Sequence, residues 1–215
     1  MRQHQRLQPA GAPCAQVRQH ADHVGGAAAV LREMEVEQVI EPGLPLGSSV
    51  YLETLRAVEE RGVEWAAARQ DRTLQLDGVE LRFLWPPADI PGSDDPNDVS
   101  AVVHVRYAGF SALLTGDAPA WVEARLVARY GAALRADVLK AGHHGSRTSS
   151  SGAFLDAVRP ELVVVSAGAR NDYGHPHREV LRRLDAREIE VARTDEDGTV
   201  RVEVEPGGVE WRADP

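Results

Sequence analysis

Asp137 to Ser151 reads DVLKAGHHGSRTSSS. Val138 and Leu139 form an apolar approach of the kind that ends a buried strand, and Gly142 and Gly145 permit a sharp reversal after it. Two imidazoles, His143 and His144, then stand at the strand end. On an extended backbone consecutive side chains point to opposite sides, so one imidazole is expected to bind metal while the other faces substrate or supports the ligands from behind. Lys140 is the only lysine in a chain with 24 Lys plus Arg. A lone lysine beside two histidines is a candidate for chemistry. Taken alone, the stretch is also readable as a polar turn with a chance lysine.

Composition bounds what surrounds this strand end. A chain of 215 residues with 43% apolar content can bury one sizeable core, so one globular domain over 18–215 is expected after an irregular segment, 1–17. No run approaches the roughly 18 consecutive apolar residues of a membrane span, and no charged-then-apolar leader is visible. The chain therefore reads as soluble and cytoplasmic. Its single cysteine, Cys14, excludes an internal disulfide. A net charge of -9 opposes nucleic-acid binding through a broad basic face, so nuclease chemistry would need bound cations to supply positive charge.

Outward from the histidines, Leu113-Leu114-Thr115-Gly116-Asp117 ends another apolar strand in a glycine and a carboxylate. A carboxylate there is placed for a metal and is costly to desolvate without one. It could also cap the helix that Ala118-Pro119 opens. Asn97-Asp98-Val99-Ser100 leads into the strand Ala101 to Tyr107. Asp77-Gly78 predicts a hairpin between Thr73–Leu76 and Val79–Trp85, and Ser48 or Ser49 caps an amphipathic helix that Gly62 ends. Nearer the start, His20-Ala21-Asp22-His23 places two imidazoles and a carboxylate ahead of a helix from Ala27 to Met34. His20 and His23 can converge on one ion while Asp22 turns to a second, the donor set that zinc or manganese accepts. Incidental polar residues at a helix start are the plainer account. Downstream, Asn171-Asp172-Tyr173-Gly174-His175-Pro176-His177 introduces a helix from Glu179 to Leu184, with Pro176 expected at its first position and His175 beside an anion-binding helix start. Ile189–Arg193 and Thr199–Val204 are expected to close as a hairpin.

These blocks together resemble the metallo-β-lactamase-type domain of the ComEC/Rec2 DNA-internalisation proteins. His20-Ala21-Asp22-His23 with Gly25-Gly26, Asn97-Asp98-Val99-Ser100, Leu113 to Asp117, Lys140 to Ser146 and Asn171 to Pro176 carry the resemblance in order, over nearly everything from Arg18 onward. It implies an α/β fold, the metallo-β-lactamase-like αββα sandwich, and hydrolysis of phosphodiesters in incoming DNA with two divalent ions, zinc or manganese. By position, His20, Asp22 and His23 match the first metal motif, Asp117 the bridging carboxylate and His143 the late ligand. Asn97, Ser100 and Ser146 match positions near substrate, and Asp22, Lys140, His144 and His175 positions of catalysis or support.

Three departures qualify the match. Arg18 stands where the family's first motif begins with histidine, and an arginine cannot ligate a cation. The family's first strands and its membrane channel are not seen in the sequence. A truncated domain with incomplete metal occupancy is therefore expected, with another hydrolase of the fold or an inactive binding module as the competing readings. In the hydrolytic reading water is activated at the ions, while Lys140, His144 or His175 steadies a phosphate oxygen or protonates the leaving alkoxide.

Overall fold

A computed structural model describes residues 14–15, 21–43, 48–90, 95–205 and 208–214. Arg18 and His20 lie outside the described residues. The chain forms two compact units, Met1–Ala67 and Ala68–Pro215.

In the smaller unit, strands β1 (Cys14–Ala15), β2 (Gln38–Glu41) and β3 (Glu64–Ala67) make a parallel sheet in that order. β1 falls inside the stretch expected to be irregular. Two residues are too few to carry a strand period, and their partners Val39 and Ile40 specify the pairing. Helix α1 spans Ala21–Val24, α2 Ala27–Glu33 and α3 Ser49–Arg61. Ala28 and Leu31 from α2, Val39 from β2 and Ala57 and Val58 from α3 form the core of this unit. The ends of α3 follow the sequence closely. Ser48 Oγ accepts the Tyr51 N–H at 3.2 Å, and Gly62 closes the helix at φ 61°, where a side chain would be strained.

The larger unit is built on a sheet of seven strands: β4 (Thr73–Leu76), β5 (Val79–Trp85), β6 (Val102–Tyr107), β7 (Phe110–Leu114), β8 (Val138–Lys140), β9 (Leu162–Val165) and β10 (Glu190–Arg193). β4 to β7 run as an antiparallel meander, the first turn being the Asp77-Gly78 hairpin. β7 to β10 are parallel, each joined to the next through a helix: α4 (Ala120–Tyr130), α5 (Gly152–Val158) and α6 (Arg178–Asp185). Parallel neighbours require such crossovers, and all three helices cover one face. There Leu113, Leu139, Val163 and Val165 pack with Val122 and Leu126, Phe154 and Leu155, and Val180 and Leu184. The alternate residues Val138 and Leu162 face the other way, with Ala192, against Val200, Val202 and Trp211. This two-faced burial explains the unbroken apolar run Leu162 to Val165.

The closing elements differ from expectation. Residues 190–193 add to the sheet as parallel β10, and the short helix α7 (Thr194–Asp197) follows. The hairpin forms instead between β11 (Thr199–Glu205) and β12 (Gly208–Asp214). The acidic segment at Asp195–Gly198 imitates a turn signal, but α6 delivers β10 to β9 as a crossover before that turn is reached.

Phe154 is 1% exposed in the helix-covered core. Phe154→Ala is expected to destabilise the chain by about 3–5 kcal/mol, checked by chemical denaturation.

Candidate metal centre

Loops leave the carboxyl ends of the adjacent parallel strands β7, β8 and β9, and Asn97 to Ser100 leads into their antiparallel neighbour β6 from the same end. The ends of parallel strands gather ligands in open α/β sheets. Here they gather one carboxylate and three imidazoles.

Asp117 lies in the loop after β7 and is 0% exposed. It is not a helix cap: the helix begins at Ala120 with Pro119 at the cap position. The Asp117 N–H donates to Ser100 Oγ at 3.2 Å, and the His143 N–H donates to the neighbouring Gly116 carbonyl at 3.0 Å. His143 Nε2 stands 3.7 Å from Asp117 Oδ2, and His144 Nε2 stands 3.7 Å from Asp117 Oδ1. Both imidazoles thus face one carboxylate, against the expectation that they diverge. The backbone is the reason: His143 and His144 adopt φ 49° and 54°, a left-handed turn in which consecutive side chains no longer alternate.

A separation of 3.7 Å is too long for a hydrogen bond between carboxylate and imidazole. It suits a shared ion, because ligands about 2.1 Å from one cation stand about 3.4 Å apart at a tetrahedral angle and at most about 4.2 Å apart. His144 Nδ1 lies 2.8 Å from the Ser166 carbonyl. Donating there, Nδ1 carries the proton and Nε2 presents its lone pair toward Asp117, the form a metal needs. His143 Nδ1 lies 3.4 Å from Thr148 Oγ1. The donor set fits a divalent cation.

The loops are fastened to one another. Thr115 Oγ1 donates to the Lys140 carbonyl at 3.0 Å, Ser149 Oγ to the Ala118 carbonyl at 2.8 Å, and the Ala120 N–H to the Thr148 carbonyl at 2.8 Å. Glu123, 1% exposed on α4, accepts the Ser150 and Ser151 N–H groups at 2.6 and 2.9 Å. Burial pushes its carboxyl up, and these donors with Arg183 oppose the shift. Gly145, at φ 81°, leaves room for Pro176, since a Cβ there would stand 2.6 Å from Pro176 Cβ. The Gly145 carbonyl accepts the His177 N–H at 3.0 Å.

His175 completes the imidazole group, its ring centroid 5.7 Å from that of His143 and 6.4 Å from that of His144. It does not flank a helix start as expected, because Pro176 lies outside α6 and His177 occupies the cap position. Asn171 holds the backbone of His175 on both sides, accepting its N–H at 2.8 Å and donating to its carbonyl at 2.7 Å. Burial, then the adjoining His177, His143 and His144, push the His175 imidazole down to about 4. It is neutral at pH 7.

The remaining expected residues are placed as follows. Lys140 ends β8 with its Nζ shielded from solvent. Asn97 lies in a one-turn helix, Pro96–Val99, its N–H on Asp95 Oδ1 at 2.9 Å. Ser100, expected near substrate, is 0% exposed and engaged with the Asp117 amide. Ser146 Oγ accepts the Thr148 hydroxyl at 3.0 Å, inside the turn after the histidines. In the smaller unit, Asp22 and His23 share α1, with His23 Nε2 3.8 Å from Asp22 Oδ2. Tyr173, which sequence reasoning did not single out, stacks on His175 at 5.7 Å and is 77% exposed. Its place between Asp172 and Gly174 in a polar loop was the available signal. Glu123, Thr148 and Ser166 also escaped notice, since support through a carbonyl or a buried helix face leaves no motif.

The sequence is 33% identical to ComE operon protein 3 of Bacillus subtilis over 84% of this chain and 23% of the relative. It is 38% identical to competence protein ComA of Neisseria gonorrhoeae over 88% of this chain and 25% of the relative. The chain is thus similar to one segment of the ComEC/Rec2 competence proteins. It spans about a quarter of the length of the curated relatives it matches. No protein-family model matches the sequence. In three dimensions it is similar to CmlA, a diiron beta-hydroxylase from Streptomyces venezuelae, with a TM-score of 0.58 at 14% identity over 86% of this chain and 44% of that one. It is also similar to Zn(2+)-bound PqqB from Methylobacterium extorquens, with a TM-score of 0.50 at 12% identity over 84% of this chain and 70% of that one. The chain therefore has the metallo-β-lactamase-like fold that the resemblance implied. Among its described residues no helix is long and apolar enough to cross a membrane.

The depressed His175 value has a definite sign. Below the ordinary imidazole value of 6.5 the unfolded chain takes up a proton that the folded chain refuses until about 4, so the contribution to stability is present above 6.5 and lost as pH falls. Melting temperature is expected to drop between these two values, and His175→Gln to flatten that drop. Gly145→Ala, which meets both strain and Pro176, is expected to cost about 2–4 kcal/mol by denaturation.

Proposed function

We propose that this chain is a metal-dependent phosphodiesterase that acts on DNA during uptake. The observation that carries the reading is the pair of imidazole Nε2 atoms, each 3.7 Å from an oxygen of one buried carboxylate. The competence names of the relatives point the same site toward DNA. The ligands proposed in the larger unit are Asp117, His143 and His144; His20, Asp22 and His23 are proposed as metal ligands on the sequence resemblance alone, for a set of two ions of zinc or manganese. His144 is thereby assigned to the metal as well as to catalysis. Divalent ions there supply Lewis acidity toward a phosphoryl oxygen, acidify water and offset the phosphate charge that a chain of net charge -9 cannot.

The chain's own groups divide the remaining work. Lys140 places its ammonium toward a non-bridging phosphate oxygen. His175, neutral at pH 7 and held at its backbone by Asn171, donates a ring N–H hydrogen bond that steadies charge on a phosphate oxygen. Tyr173 offers an exposed ring beside His175 for a base of the substrate. Ser100 fixes the Asp117 loop, Ser146 fixes the turn after the histidines, and Asn97 lines the approach to Ser100.

Turnover of a DNA oligomer and of a phosphodiester dye with zinc or manganese is expected to exceed turnover of a β-lactam or thioester. Faster lactam or thioester turnover selects another hydrolase of the fold, and no turnover with full metal selects a binding module. Asp117→Asn and His144→Ala should each lower metal retention more than about tenfold, read by metal analysis of the purified chain. His175→Ala should keep its metal and lose about 100-fold in turnover.

A further inference from the structure

On the outer side of α4, Trp121, Arg125 and Arg129 follow one another at four-residue spacing, which places them on one helix face. With Trp85 and Gln70 they line a cavity of about 710 Å³, to which Asp89 contributes the one carboxylate among the described residues. Trp121 is 41% exposed, while Trp85 is buried and meets it edge to face at 5.7 Å. The Trp121 indole N–H donates to Asp98 Oδ1 at 2.8 Å. That bond fixes the ring and leaves a face of it to solvent. Arg125 is exposed. Arg129 and Arg82 share the carboxylate of Asp71, while Arg125 makes no ion pair among the described residues and is the guanidinium most open to a phosphate.

An immobilised aromatic face beside two guanidiniums matches one kind of ligand well. A base of a flexible strand can lie on the ring while the phosphates on either side meet the arginines. We propose that the cavity beside Trp121 binds a segment of single-stranded DNA, an assignment that rests on the reading of the chain as a DNA hydrolase. A duplex keeps its bases stacked and cannot use the ring. The cavity is tied to the metal centre through one turn. Asp98 receives both indoles, Trp85 on its carbonyl at 2.6 Å and Trp121 on its side chain, and Ser100, two residues on, holds the Asp117 amide. A strand seated on Trp121 is thereby held against the segment that positions the buried carboxylate, outside the ligand set itself.

The test is binding of a fluorescent phosphorothioate oligothymidylate to the metal-loaded chain, followed by anisotropy. Trp121→Ala and Arg125→Glu should each weaken binding by between about 5-fold and 150-fold, the range for losing one stacked base. Arg125→Gln should reduce the salt dependence by about 0.7 of a unit in the log–log slope. Turnover of a small phosphodiester dye, which does not reach the cavity, should stay within a factor of about two in all three variants. Unchanged oligonucleotide affinity in both Trp121→Ala and Arg125→Glu overturns the proposal, as does a duplex that binds equally well with the same dependence on Trp121. If Trp121→Ala lowers the melting temperature, Arg125→Glu decides alone. Should wild type fail to hydrolyse any phosphodiester while its oligonucleotide binding still depends on Trp121, the hydrolase reading falls and this site stands.

Discussion

A carboxylate with 0% exposure, set at the end of an apolar strand, is the constraint around which the larger unit is arranged. An ionised group so far from water is penalised by several kcal/mol unless opposite charge accompanies it. Asp117 meets this by facing imidazoles whose neutral nitrogens can share a cation with it. The parallel order of β7, β8 and β9 places the three contributing loops side by side, so each loop needs only a short reach. The sheet supplies the convergence, and the loops supply the chemistry.

Loops that bury polar backbone must satisfy it among themselves. Here several such bonds join different segments: Ser100 to the Asp117 amide, Thr115 to the Lys140 carbonyl, Ser149 to the Ala118 carbonyl, Glu123 to the amides ahead of α5. The hydroxyl-rich run after the histidines therefore acts as fastening. A functional site spread over several segments becomes rigid when each segment's polar groups have their partners on another.

Where local chemistry determines structure, the sequence was readable. Ser48 and Gly62 bound α3 as a capping oxygen and a left-handed residue dictate, and Asp77-Gly78 makes the turn that its types favour. The blocks around Asp117 and His143 belonged to the resemblance that implied the fold, and both follow the ends of apolar strands, β7 and β8. The failures are tertiary. The left-handed backbone at His143 and His144 is imposed by contacts of Gly145 with Pro176 and of His143 with Gly116, which no pattern of two histidines encodes. Ser100 looked like a substrate contact because a hydroxyl near a site has two uses, and only its depth separates them. β10 was assigned to the wrong partner since pairing order depends on the crossover helix before it. Arg18 and His20 lie outside the described residues.

His143 and His144 both hold a backbone conformation that side chains disfavour, at roughly 1 kcal/mol or more for each residue. Glycine or asparagine would adopt it at less cost. The residues best suited to the backbone at these two positions are thus ones that lack an imidazole, and selection for stability alone would remove both rings. Two histidines there run against the preference of the fold, and replacing this pair with glycine or asparagine is a route to a more robust chain that gives up both imidazoles.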